Sequence, residues 1–112
     1  MFKSKSKSKI KDEIRYLLAE GQDWTCPLSG IKFECVDGRV IDPTTNKAVS
    51  VDHDHNTGLI RGIVVQKVNW LLDQWEQGSY GHLEKPDSLT EYQNNPPANK
   101  IIGDVSFDLY WK

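Results

Sequence analysis

The chain has 112 residues, of which 38% are hydrophobic and 27% charged, and its formal net charge is −2. This length and apolar content suit one domain with one modest core, and no stretch approaches the roughly 20 apolar residues of a membrane-spanning helix. Because the N-terminus also lacks the apolar segment of a secretory signal, we expect a cytoplasmic protein with no membrane partner.

The start of the chain is strongly basic. Five lysines and no acid lie in its first eleven residues, at Lys3, Lys5, Lys7, Lys9 and Lys11. A flexible basic arm on an acidic body is a common arrangement for binding nucleic-acid phosphates. We therefore predict a disordered basic arm over residues 1–9 and a single domain over residues 10–112. The lysines of the arm, together with Lys11, are predicted to contact DNA phosphates. A disordered leader that only improves solubility is the alternative.

Regular elements are predicted along most of the chain. Apolar spacing predicts a helix over residues 10–21 that ends at Gly21. A β-hairpin follows, with strands over residues 31–35 and 39–41 joined by a turn at Asp37–Gly38. Residues 42–48 are predicted to be a loop.

The second half begins with another hairpin. Alternation around Ser50 predicts a strand, residues 56–58 a turn, and residues 59–65 a second strand. Helical spacing then runs over residues 66–78. The tail is predicted to hold a short helix near residues 88–93 and a final extended segment over residues 104–111.

Polar chemistry is concentrated in the stretch VDHDHNTGLIRGIVVQKVN. Asp52, His53, Asp54 and His55 end the first strand of this hairpin, and Asn69 lies near the start of the helix that follows. Since the hairpin can fold back on that helix, a carboxylate, an imidazole and a carboxamide can meet there. Carboxylate and amide oxygens suit Mg²⁺, and an imidazole with its ordinary pKa near ~6.5 suits a general base.

The same stretch resembles the core of the recombination endonuclease VII family, nucleases of the ββα-metal (His-Me finger) fold and relatives of the HNH group. The family pattern is Asp-His-Asp-His, a short turn, Arg-Gly, an apolar step and a terminal Asn. Here Asp52–His55, Arg61-Gly62 and Asn69 match it. The resemblance implies an α+β fold, namely a small ββα-metal domain with its core at about residues 48–78, an N-terminal helix and an additional β-hairpin.

Roles at the site are also implied by the resemblance. Asp52 and Asn69 would bind one Mg²⁺ or Mn²⁺, and His53 would be the general base. The catalytic set would be His53, His55 and Asn69. His55 would assist at the phosphate or the metal, or would only orient the loop through a hydrogen bond.

Two further polar residues of the motif have alternative readings. Arg61 could contact a DNA phosphate through its forked donors, or could form a structural ion pair with an acid of the same finger. Asp54 is interpreted as a solvated or hairpin-stabilising carboxylate.

The chain departs from the family in its cysteines. Many members bind a structural zinc through two Cys-x-x-Cys pairs, but only Cys26 of the four positions is retained. The other three positions hold Ser29, Val65 and Val68. We therefore predict no structural Zn²⁺, apolar packing in its place, and buried free thiols at Cys26 and Cys35. Three tryptophans are expected to support that packing, at Trp24, Trp70 and Trp75.

The resemblance implies a phage-derived, Mg²⁺-dependent DNA endonuclease that works in the cytoplasm of a bacterial host. It would nick DNA or cut both strands. Action on branched DNA would need two active sites and hence a homodimer, and the chain has no room for the long dimerisation helices of the namesake members. A catalytically inactive DNA- or partner-binding module that retains the fold is the alternative, followed by a metal-stabilised structural protein. Intact Asp52, His53 and Asn69 favour the enzyme.

Overall fold

The computed structural model describes residues 6–81 and 83–111, and these residues form a mixed α+β fold, as the sequence predicts. In chain order the described elements are α1 (Lys7–Gly21), β1 (Glu34–Val36), β2 (Arg39–Asp42), β3 (Lys47–Ala48), β4 (Ser50–His53), β5 (Ile60–Val64), α2 (Gln66–Glu76), α3 (Asp87–Asn94), α4 (Pro97–Ile101) and α5 (Asp108–Trp111).

Helix α1 begins earlier than the apolar spacing predicts. Ser6 caps it, because the Ser6 hydroxyl oxygen accepts a hydrogen bond from the backbone N–H of Lys9 at 3.3 Å. Lys7 and Lys9 therefore lie in a helix, where a disordered arm was expected. Lys3 and Lys5 lie outside the described residues. The buried face of α1 packs against β2 and β5.

The first sheet is a three-stranded antiparallel sheet in the order β1–β2–β3. The predicted turn at Asp37–Gly38 is present, and both residues have positive φ angles, as a tight two-residue hairpin turn requires. Strand β3 lies within the segment that was predicted to be a loop. Its two residues pair with β2, because Asp42 and Asn46 form a turn that returns the chain to the sheet edge.

Strands β4 and β5 form a separate antiparallel hairpin, and α2 follows β5 directly and packs against β4. Asp52 pairs with Gly62 while His53 pairs with Ile60, so a bulge leaves Arg61 as the extra residue of β5. A Cβ at Gly62 would lie 2.9 Å from Gln22 Oε1 and 3.2 Å from Tyr92 Oη. Glycine at this position therefore lets α3 and the loop after α1 approach the hairpin closely.

Residues 104–111 are not the extended run that the sequence predicts, because they include α5, and a helix that was not predicted precedes them. Residues 97–101 form α4, which begins with Pro97 at a position where its missing N–H costs nothing. The segment next to Ser106 makes one isolated bridge with Leu59, and α5 follows. Backbone bonds from Ile60 N–H to Val105 O and from Phe107 N–H to Gly58 O attach this segment to the β4–β5 hairpin.

Apolar residues occupy two of the positions to which the resemblance would assign zinc ligands. Val65 is buried, Val68 is partly buried, and Trp24 and Trp75 pack against the core. Trp70 does not, since 57% of it is exposed on the outer face of α2.

The two cysteines differ in environment. Cys26 is a buried free thiol, as expected, whereas Cys35 is exposed because every residue of the edge strand β1 faces solvent. None of the helices in the described ranges is long and apolar enough to cross a bilayer.

Candidate functional site

The two histidines of the motif lie at the turn end of the β4–β5 hairpin. Their rings are 5.0 Å apart in an edge-to-face arrangement. Between them, Asp54 closes the turn, because its Oδ1 accepts hydrogen bonds from the backbone N–H groups of Asn56 and Thr57 at 2.7 and 3.1 Å. These two bonds lower the pKa of the Asp54 carboxyl. Asp54 is therefore the hairpin-stabilising carboxylate that the sequence predicts.

Asp52 is enclosed in a buried polar network. Arg61 Nε and Nη2 donate to Asp52 Oδ2 and Oδ1 at 2.8 and 3.0 Å, and Tyr92 Oη of α3 donates to Oδ2 at 2.8 Å. Only 1% of Asp52 is exposed. Burial, followed by the charge of Asp52 and the hydrogen bond to it, raises the pKa of Tyr92 well above its usual value, so Tyr92 remains a donor. This carboxylate ties α3 to the hairpin.

Arg61 connects that network to α2. Its Nη2 also donates to Glu76 Oε1 at 2.6 Å, and its side chain is 6% exposed. Burial lowers the pKa of Arg61, but hydrogen bonds and charges from Asp52 and Glu76 outweigh burial and raise the pKa above its usual value. Of the two readings of Arg61, the structure shows the ion pair. Contact between Arg61 and a DNA phosphate stays a prediction.

His55 continues the network to the surface. Its Nδ1 lies 3.0 Å from Glu76 Oε2 and its Nε2 lies 3.3 Å from Asp73 Oδ1, and 44% of its side chain is exposed. His55 thus contacts two acids of α2 with its two ring nitrogens.

His53 has a different environment. Its ring stacks on Phe107 with the centroids 3.9 Å apart and the planes 12° apart. Burial, and then the neighbouring His55, lower the pKa of His53 below its usual value, although Asp52 and Asp73 oppose this shift. None of the hydrogen bonds among the described residues involves the His53 ring nitrogens. A neutral imidazole with an available nitrogen is what a general base requires.

Asn69 lies on the same face of α2 as the two acids that His55 contacts. Asn69, Asp73 and Glu76 are spaced four and three residues apart along α2, which aligns them on one stripe of a helix. Within the described ranges, the hydrogen-bond partners of the Asp52 carboxylate are Arg61 and Tyr92, and no hydrogen bond joins it to Asn69. The predicted metal pair Asp52–Asn69 stays a prediction.

The divalent cation that the resemblance implies needs ligand atoms on an accessible surface. As placed, the Asp52 carboxylate does not meet this condition, because a cation beside it would lie against the Arg61 guanidinium. Asp73 and Glu76 are more accessible, with side chains 38% and 19% exposed. A cleft of about 400 Å³ adjoins Glu76, and its other lining residues are Asp54, His55, Asn56, Arg61, Gln77, Gln93 and Asn94.

The family of the chain follows from a sequence comparison. The sequence model of the family described as recombination endonuclease VII matches residues 3–95, which include the hairpin, α2 and α3. The chain belongs to the recombination endonuclease VII family. The match contains the whole Asp52–Arg61–Glu76 network and stops before α4, α5 and Phe107.

Two curated phage proteins are similar to this endonuclease VII family member. One is the Gene 59 protein of Mycobacterium phage D29, 34% identical over 58 residues, which are 52% of this chain and 33% of that protein. The other is the Gene 59 protein of Mycobacterium phage L5, 36% identical over 58 residues, or 52% of this chain and 34% of that protein. The alignments thus span about a third of the length of these relatives. No solved structure matches the chain.

Four residues of the site were not predicted from the sequence of this endonuclease VII family member. Asp73 and Glu76 could have been found, because both follow Asn69 at helical spacing on one face. Tyr92 and Phe107 could not, since their contacts with Asp52 and His53 join positions 40 and 54 residues apart and depend on the packing of α3 and the C-terminal segment.

The stacked Phe107 predicts a measurable shift in the titration of His53. In metal-free protein with EDTA, NMR titration of His53 should give a pKa below ~6.5. Phe107→Ala should raise it, because water reaches the imidazole and stabilises its charged form. In the wild type, His53 binds a proton more tightly in the unfolded chain than in the folded one. Protonation of His53 therefore destabilises the wild-type fold as the pH falls below ~6.5.

The matched control for this titration is Leu109→Ala, which shortens an exposed side chain of α5, the helix that follows Phe107. Leu109→Ala should leave the His53 titration unchanged. A His53 pKa that is the same in Phe107→Ala and in the wild type would show that stacking does not set the protonation of this ring.

Proposed function

We propose that this chain is a metal-dependent DNA endonuclease with a ββα-metal active site made of β4, β5 and α2. The single observation that carries the proposal is the position of His53. Its imidazole ends β4 beside the acid-bearing face of α2, and burial and then the neighbouring His55 lower its pKa, which favours the neutral form. The family to which the chain belongs supplies the reaction class, hydrolysis of DNA phosphodiesters.

His53 acts as the general base. A neutral imidazole accepts a proton from a water molecule that attacks phosphorus, and no hydrogen bond among the described residues occupies its ring nitrogens. The stack on Phe107 restricts the ring plane, so the nitrogen points in a fixed direction. Orientation and proton acceptance are thus supplied by the hairpin and the C-terminal segment together.

The charge around His53 explains why a cation is needed. Among the described residues, the carboxylates of Asp52, Asp54, Asp73 and Glu76 lie around the histidines. The Arg61 guanidinium pairs with two of them, Asp52 and Glu76. An approaching phosphate would therefore meet net negative charge. Bound Mg²⁺ or Mn²⁺ supplies positive charge for the phosphate and the leaving oxygen. Asp52 and Asn69 are its ligands by resemblance, and Asp52 would have to loosen its bonds to Arg61 to bind it.

A DNA-binding surface is proposed to extend from His53 to α1. Phe107, which stacks on His53, also stacks on Trp111 with the centroids 5.3 Å apart. Lys11 Nζ lies 5.7 Å from the centroid of the Trp111 ring. The basic start of α1, with Lys7, Lys9 and Lys11, is therefore next to the segment that supports the base. These lysines would contact phosphates without reading sequence, so affinity would fall as salt rises.

The direct test measures cleavage of supercoiled plasmid, linear duplex and a four-way junction in parallel, with Mg²⁺, Mn²⁺ or EDTA. We expect metal-dependent cleavage of at least one substrate and none with EDTA. Preference for the junction would indicate action on branched DNA, and would call for a measurement of dimerisation. Binding to all three DNAs without cleavage under any metal condition would contradict the proposal and favour a DNA-binding module.

A further inference from the structure

His53 belongs to a row of three aromatic rings that ends in the last described helix. Phe107 stacks on the His53 imidazole with the planes 12° apart, and Trp111 stacks on Phe107 with the planes 15° apart. The centroid distances are 3.9 and 5.3 Å, within the range of favourable aromatic stacking for the second pair. The three rings are therefore close to parallel, and Phe107 links Trp111 to the imidazole.

The backbone that carries the two outer rings is fixed beside the imidazole. Phe107 N–H donates to Gly58 O at 2.8 Å, in the turn of the β4–β5 hairpin, and Trp111 N–H donates to Phe107 O at 3.0 Å. Residues four apart in a helical turn lie on the same side of it, which explains why the two rings meet. Both side chains are partly buried and pack against the core.

Two cations of α1 lie against the far end of the row. Lys11 Nζ and Arg15 Cζ are 5.7 and 5.8 Å from the centroid of the Trp111 ring, within the range of a cation–π contact. Arg15 Nε also donates to the backbone oxygen of Val49 at 3.2 Å, directly before β4 begins. Arg15 therefore connects Trp111 to the strand that ends in His53.

The row of rings matters because no hydrogen bond among the described residues involves the ring nitrogens of His53. A catalytic imidazole is commonly oriented by a hydrogen bond on its second nitrogen. His55 has such contacts, since its two ring nitrogens lie beside Glu76 and Asp73. For His53, the stacked rings are the contacts that can supply the same restriction.

We propose that Trp111 is a positioning residue for proton transfer at His53 and that it acts through Phe107. The inference deepens the proposed function and rests on it for the link to DNA cleavage. With Trp111 stacked on it, the Phe107 ring is held on the imidazole; without Trp111, the Phe107 side chain can rotate away and the imidazole can turn. A misplacement of about 1 Å can cost on the order of 10²-fold in rate.

Steady-state cleavage of plasmid with Mn²⁺ tests this role. At about pH 8, well above the ordinary histidine pKa, a change in His53 protonation does not contribute. Trp111→Met removes the ring but keeps an apolar side chain. It should lower kcat by about tenfold to 10²-fold and leave KM close to that of the wild type, because the groups that contact DNA remain. Trp111→Phe restores a ring for Phe107 to stack on and should recover most of the rate.

The matched control for the cleavage assay is Leu109→Ala, which shortens an exposed side chain of α5 outside the row of rings. It should keep the kcat and KM of the wild type. Circular dichroism shows whether each variant is folded.

Proton NMR of the His53 ring reports the stack without reference to activity. The ring current of Phe107 should move the carbon-bound ring protons of His53 upfield of their positions in the urea-unfolded chain. Trp111→Met should reduce this displacement, Trp111→Phe should restore it, and Leu109→Ala should leave it unchanged. The wild-type spectrum alone tests the contact if Trp111→Met does not fold.

Three results would overturn the inference. The first is a wild type whose His53 ring protons are not displaced, since the stack would then be absent in solution. The second is a folded Trp111→Met protein with unchanged kcat. The third is a Trp111→Met protein whose KM rises while kcat stays the same, which would assign Trp111 to DNA binding beside Lys11.

The two assays separate failure of this inference from failure of the proposed function. If the wild type cleaves DNA and Trp111→Met keeps its kcat, the positioning role fails and the nuclease proposal stands. If the wild type cuts no DNA substrate but the His53 shifts still depend on Trp111, the nuclease proposal fails and the link between Trp111 and the imidazole stands.

Discussion

Replacing His53 by alanine is expected to reduce DNA cleavage by about 10²- to 10⁴-fold, the range that a positioned general base contributes. The physical reason is that the His53 imidazole, at the end of β4, is the proposed proton acceptor, and its lowered pKa favours the neutral form. The measurement is the rate of plasmid nicking at saturating DNA with Mn²⁺, in the wild type and in His53→Ala.

Two controls make the His53 result specific. Mn²⁺ affinity should stay close to that of the wild type in His53→Ala, because His53 is not among the proposed ligands. The melting temperature should fall only modestly, since the lost contact is a partly exposed stack on Phe107. Cleavage by a folded His53→Ala protein at a rate within a few-fold of the wild type would show that another group takes the proton.

Replacing Arg61 by methionine is expected to destabilise the fold by about 3–5 kcal/mol, which is typical when one partner of a buried ion pair is removed. Asp52 would remain buried with Tyr92 as its donor, and Glu76 would lose its contact with the guanidinium. For a domain of this size the melting temperature should fall by roughly 10–20 °C. Arg39→Met, at an exposed position of β2, is the matched control and should change stability by less than about 0.5 kcal/mol.

A double-mutant cycle separates the ion pair from simple packing. Asp52→Asn removes the buried charge, so Asp52→Asn/Arg61→Met should be less destabilised than the sum of the two single variants. Urea unfolding followed by circular dichroism gives the four free energies of unfolding, for the wild type, the two single variants and the double variant. Strict additivity would mean that Asp52 and Arg61 do not interact, in conflict with their two hydrogen bonds.

The local order of the site was predictable from the sequence because it depends on short-range signals. Alternation around Ser50 and the Gly58 turn predict β4 and β5, and helical spacing predicts α2. The motif residues Asp52 to His55 accordingly lie at the end of the hairpin beside α2. Local periodicity was sufficient for these elements because each buries an apolar face of its own.

Other features depend on contacts that periodicity does not encode. Strand β3 has two residues and exists only because β2 offers it an edge, and α5 has four residues that pack on α1. The burial of Asp52 was also missed, because a carboxylate in a loop motif is expected to face solvent. Its partner Tyr92 lies 40 residues away, and only the folded chain brings the two together.

The segment that carries Phe107 lies beyond residues 3–95, the part of the chain that the family model matches. Its ring nevertheless covers the imidazole of the shared motif, and its backbone is bonded to the hairpin. The pH range in which such an enzyme works would then depend on a residue outside the family motif. Relatives with identical motif residues but different C-terminal segments would then differ in the pKa of this histidine, according to the side chain that contacts its ring.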